Sequence, residues 1–103
     1  MSLTSRATLL VNKTNKTLHL RDKVGAAYGG TRYIIPANSR LEVSPLQHTF
    51  FKMLPYAVEE EVNGTTQRSV DTKLTIDSDQ LADNKEIIIT QVASSYKVRF
   101  IPR

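Results

Sequence analysis

His19 and His48 are the only imidazoles in this chain, and there is no cysteine. Nucleophilic catalysis would therefore rest on a Ser or Thr with one of these two residues as its base. No G-x-S-x-G turn presents such a serine. His19 sits between Leu18 and Leu20. On a strand that alternates faces, with the leucines inward, it points out to solvent. The oxygen-rich run Asp77-Ser78-Asp79, with Asp83 and Glu86 after it, has the donor types of a calcium loop. It departs from the EF-hand, which needs an oxygen ligand where Leu81 stands, a glycine at Ala82 and a glutamate at Ile88. Turn and cap roles account for Asp77 and Asp79 without a metal, and Ser78 or Asp79 is the expected cap of a single helical turn. The glycines at 25, 29 and 30 lack the G-K-[ST] ending of a phosphate loop and the helix that should follow. The chemistry thus calls for no catalytic residue, no metal and no cofactor.

What remains is the chemistry of surfaces. Arg21, Lys23, Arg32 and Arg40 cluster in sequence with Tyr28 and Tyr33 among them. Cations neutralise phosphates and exposed aromatic rings stack on bases, so this region is the candidate for polyanion binding. Phe50 and Phe51 are adjacent and must face opposite sides of a strand, which leaves one of them as a candidate apolar contact. Asn63-Gly64 is a hairpin signal, because a type I′ turn needs positive φ at both central residues. Three consecutive isoleucines, 87–89, put Ile88 on the face opposite its neighbours. Lys97 and Arg99 alternate with Tyr96, Val98 and Phe100 on the following strand.

These side chains must be positioned by strands. No stretch of ten residues holds a helical period, while β-branched residues and period-two alternation recur along the chain. Candidate strands cover 7–12, 17–20, 31–35, 40–43, 48–54, 56–62, 65–70, 74–76, 86–92 and 96–101, with 21–30 read as a loop. The Asn63-Gly64 turn fixes a register in which Val62 opposes Thr65, Glu60 opposes Gln67 and Glu59 opposes Arg68. The outer half of that hairpin is polar on both faces, so residues 56–71 read as a ribbon projecting from the core. About eight short strands besides the two of this hairpin, with turn chemistry between them, indicate an all-β fold, a small antiparallel β-sandwich.

The run 74–76, a helical turn, then 87–91 and 98–100 resembles the last three strands of immunoglobulin-like domains. The chain lacks the cysteine pair, buried tryptophan and tyrosine corner of that fold. The resemblance implies an immunoglobulin-like shape and nothing about function.

With 103 residues, 40% apolar and 23% charged, residues 1–103 form one domain. A net charge of +4 divides into +6 over 1–55, −5 over 56–95 and +3 over 96–103. No run is long enough to span a membrane as a helix, and residues 1–6 do not read as a signal peptide, so a cytoplasmic setting is expected. The expectation for function is a non-enzymatic binding or assembly module whose partner is a protein or itself, as a homo-oligomer. Its contact candidates are the hairpin tip (Asn63, Gly64), the aromatic residues Tyr28, Tyr33, Phe50 and Phe51 with Arg32, and the group Ile88, Lys97 and Arg99. The alternative is a binder of nucleic acid or of an anionic membrane surface through Arg21, Lys23, Arg32 and Arg40.

Overall fold

The computed structural model describes residues 7–24, 27–43, 55–68, 74–93 and 95–103. Within them the chain runs through β1 (Thr8–Asn12), β2 (Leu18–Val24), β3 (Ala27–Ile35), β4 (Ser39–Val43), β5 (Pro55–Val62), β6 (Thr65–Arg68), β7 (Thr75–Asp77), α1 (Ser78–Asp83), β8 (Asn84–Val92) and β9 (Ser95–Pro102). Two sheets form the all-β sandwich expected. Sheet A has the order β4-β1-β8-β9, and sheet B the order β3-β2-β5-β6 with β7 also on β5. All pairings are antiparallel except β1 with β8, which run parallel. That pair brings two β-branched and leucine-rich runs side by side at the centre of sheet A.

Period-two alternation decides which residues meet between the sheets. Leu10, Val43, Ile87, Ile89 and Tyr96 face inward from sheet A, and Leu18, Leu20, Tyr33, Ile35, Tyr56, Val58 and Ile76 from sheet B. Each fully buried Leu or Ile side chain stabilises the fold by about 1.5–3 kcal/mol relative to exposure. Tyr33 and Tyr56 meet edge to face, with ring centroids 5.8 Å apart and planes at 71°. The Tyr96 hydroxyl crosses from β9 and donates to Glu60 Oε2 on β5, tying one sheet to the other.

The central hairpin has the register its turn dictates. Glu59 lies opposite Arg68, Glu60 opposite Gln67 and Val62 opposite Thr65, with Asn63 at φ 52° and Gly64 at φ 82°. Its first strand is bound into the sheet more deeply than polarity alone suggests. β5 pairs with β2 from Tyr56 through Glu60, and the Glu61 amide donates to Thr17 O at 2.9 Å. Asn63, Gly64 and Thr65 are exposed at the tip, and residues 69–71 lie outside the described residues.

Other expectations need correction. Residues 21–24 and 27–30 are strand, not loop, because β2 and β3 continue as one long hairpin with irregular register at Leu20–Lys23. α1 is six residues long and is capped by Asp77 rather than Ser78 or Asp79. Asp77 Oδ1 accepts from the Gln80 amide and the Gln80 side chain accepts from the Asp77 amide, a reciprocal box that starts the helix one residue earlier. α1 carries the chain from sheet B to sheet A. Arg103 closes its C-terminal end, donating from Nε to Ala82 O at 2.8 Å and from Nη1 to Ala7 O at 3.2 Å. The expected strand at 48–54 lies outside the described residues.

Candidate functional site

The outer face of sheet B carries a closed set of polar side chains. Alternation turns His19 and Arg21 of β2, and Glu59 and Glu61 of β5, away from the core cluster. His19 faces outward as its neighbours require, but it is only 7% exposed, which corrects the expectation of a solvated ring. Its Nε2 lies 2.6 Å from Glu61 Oε1 and its Nδ1 lies 3.2 Å from Thr31 Oγ1. A carboxylate only accepts, so Nε2 carries the proton, and in the neutral ring Nδ1 accepts from the Thr31 hydroxyl. Glu59 is 2% exposed, and Arg21 Nη1 donates to both of its oxygens at 3.3 and 3.4 Å. The Arg21 Nε donates to Gly29 O at 3.0 Å. Hydroxyl, imidazole and carboxylate thus stand in line, and each buried polar group has a partner. This is the arrangement that removes the cost of burying them.

The outer face of sheet A is built differently. Leu9 and Val11 of β1, Ile88 of β8 and Ile101 of β9 all turn away from the core and are half-buried. The register places Leu9 between Glu42 and Glu86, and Val11 between Arg40 and Ile88. Ile88 in turn lies opposite Arg99, and Glu86 opposite Ile101. Val92, at 56% exposure, ends the same row of β8 near the turn to β9. Arg40, Glu42, Glu86, Lys97 and Arg99 take part in none of the ion pairs among the described residues. β9 is an edge strand of this sheet among the described residues.

The residues singled out in the sequence divide between these faces. Ile88, Lys97 and Arg99 come together on sheet A as expected, and Arg40 joins them across β1. Arg21, Lys23 and Arg32 belong to sheet B, so the four cations of the polyanion candidate do not form one patch. Two of them have carboxylate partners: Arg21 has Glu59, and Arg32 has Asp22, with Arg32 Nη2 at 2.7 Å from Asp22 Oδ2. The Asp22 hydrogen bond holds the Arg32 guanidinium above its ordinary pKa. Tyr33 is a core residue at 6% exposure, which corrects its assignment as a contact ring: it alternates with Ile34 and shares the inward face of Ile35, opposite Leu20, where it meets Tyr56. Burial pushes its phenol up to about 12, and raises Tyr56 and Tyr96 in the same direction. The Tyr28 side chain, Phe50 and Phe51 lie outside the described residues. Asn63 and Gly64 are exposed at the hairpin tip.

Sequence reasoning missed Leu9, Val11 and Ile101 on one face, and Glu59 and Glu61 with His19 on the other. Leu9-Leu10-Val11 carried the same signal as the three isoleucines, an apolar residue on both faces of a strand. No helix among the described residues is long and apolar enough to cross a membrane. Compared with family models, with curated proteins and with solved structures, the chain finds no match.

Proposed function

We propose that this chain is a non-enzymatic binding and assembly module that works through the outer face of sheet A and associates with itself. One observation carries the reading: Leu9, Val11, Ile88 and Ile101 gather on the side of the sheet away from the core, amid charges that form no ion pair among the described residues. The core does not need them, since Leu10, Ile87 and Ile89 already fill the inner side of the same strands. An apolar centre within a charged border is the anatomy of a protein contact. On the outer face of sheet B the only exposed large apolar residue among the described ones is Ile34, beside the paired groups His19–Glu61, Arg21–Glu59 and Arg32–Asp22.

Light scattering on a concentration series tests this. The wild-type mass should rise above that of a single chain, and Ile88→Lys should return it to one chain with an unchanged circular dichroism spectrum. A wild-type protein that stays a single chain at high micromolar concentration would overturn the reading.

A further inference from the structure

The charges on the outer face of sheet A are sorted along the strand direction. One cross-strand row reads Glu42, Leu9, Glu86, Ile101, and the next reads Arg40, Val11, Ile88, Arg99. One pair further toward the β8–β9 turn, Lys97 lies opposite Thr90. The face is therefore acidic at one end and basic at the other, with apolar side chains between.

Resting on the reading of this face as a self-association surface, we infer that it meets the same face of a second copy about a two-fold axis that reverses the strand direction. Two in-plane axes can stack two copies face to face. An axis along the strands lays β4 over the partner's β9, which sets Arg40 against Arg99 and each acidic row against the other. Like charges facing across an interface oppose that choice. An axis across the strands keeps β4 over β4 and inverts the order of the rows. Glu42 of one copy then meets Arg40 of the other, Leu9 meets Val11, and Glu86 comes within one strand of Arg99. Each contact occurs twice, as an isologous interface requires.

The competing geometry, edge to edge through β9, sets cation beside cation. An antiparallel β9–β9 ladder brings Lys97 and Arg99 of one copy alongside the same residues of the other. The face offered is small. Four strands about 4.8 Å apart and five residues of about 3.3 Å each span roughly 19 by 16 Å. That is about 300 Å² per copy, below the size of a stable specific interface and in the range of weak, transient contacts, so association depends visibly on concentration.

Two double variants test the charge pairing. Glu42→Lys with Glu86→Lys leaves only basic charges in the two rows, and Arg40→Glu with Arg99→Glu leaves only acidic ones, with Lys97 beyond them. Each alone should associate at least about tenfold more weakly than wild type, and a one-to-one mixture should recover a two-chain mass by light scattering. Recovery on mixing also shows that both variants fold. If either variant alone associates like wild type, or if the mixture stays single-chain, the inference is overturned. Loss of association in Ile88→Lys would in that case leave the broader reading of the face standing. The axis is read separately. The chain has no cysteine, so mixed Glu42→Cys and Arg40→Cys chains should be joined by a short bis-maleimide linker, and the absence of a joined product would contradict the cross-strand axis.

Discussion

The two outer faces of this sandwich treat charge in opposite ways. On sheet B three charged groups are matched: buried Glu59 with Arg21, Glu61 with buried His19, and the exposed Arg32 with Asp22. On sheet A the charges stand at the border and form no ion pair among the described residues, and the centre between them is apolar. A buried carboxylate such as Glu59 must be compensated within the chain, so its partner is structural. A half-exposed Ile88 or Leu9 has no such requirement, and its apolar surface is still available to be covered. The difference separates polar groups that hold the fold from apolar groups offered to something outside it.

Breaking the matched face should have the largest effect. Arg21→Met leaves the Glu59 carboxylate buried without its cation, a loss of about 3 kcal/mol at the low end of the cost of orphaning a buried charge. Urea unfolding should show the midpoint falling with the slope unchanged, and no change in association. If Arg21→Met is as stable as wild type, the sheet B pairs are not structural and the contrast between the faces collapses.

Alkaline pH probes the tie between the sheets. Burial raises the Tyr33 phenol to about 12, and Tyr96 is raised by burial and by the Glu60 carboxylate it donates to. An unfolded tyrosine ionises near its ordinary value of about 10. Above that pH the unfolded chain releases protons that the folded chain still holds, so stability falls as pH rises. The contribution is whole below pH of about 10 and is lost progressively toward about 12. Thermal melts from pH 9 upward should show the decline, and Tyr33→Phe should flatten part of it. An equally steep decline in that variant would place the effect elsewhere.

The smallest effect should come from the unmatched face. Arg99→Met removes an exposed charge that forms no ion pair among the described residues, and stability should change by less than about 0.5 kcal/mol. Association, in contrast, should weaken, because the same charge borders the apolar centre.

Much of this arrangement was legible from residue types alone. The Asn63-Gly64 turn determined the β5–β6 register, because a two-residue loop leaves no freedom in pairing. Ile88 facing outward followed from period two. The β1–β8 parallel pair and the β2–β5 pair were not legible, because long-range strand order leaves no local signal in side-chain spacing. His19 shows the consequence. Its outward direction was readable from Leu18 and Leu20, but its burial depends on Glu61 and Thr31, brought beside it by strands distant in sequence. The inward direction of Tyr33 follows from alternation with Ile35, but which face of β3 is inward is decided by its pairing with Leu18 and Leu20 of β2.

The central claim is that the outer face of sheet A, and not that of sheet B, is the surface this chain offers to a second copy. Two-dimensional nuclear magnetic resonance on serial dilution measures it residue by residue. The account predicts concentration-dependent shifts at the amides and methyls of Leu9, Val11, Ile88 and Ile101, with Arg40 and Arg99 beside them. His19, Arg21, Glu59 and Glu61 should stay fixed. Shifts that track the sheet B cluster instead, or a spectrum that does not change with concentration, would contradict it.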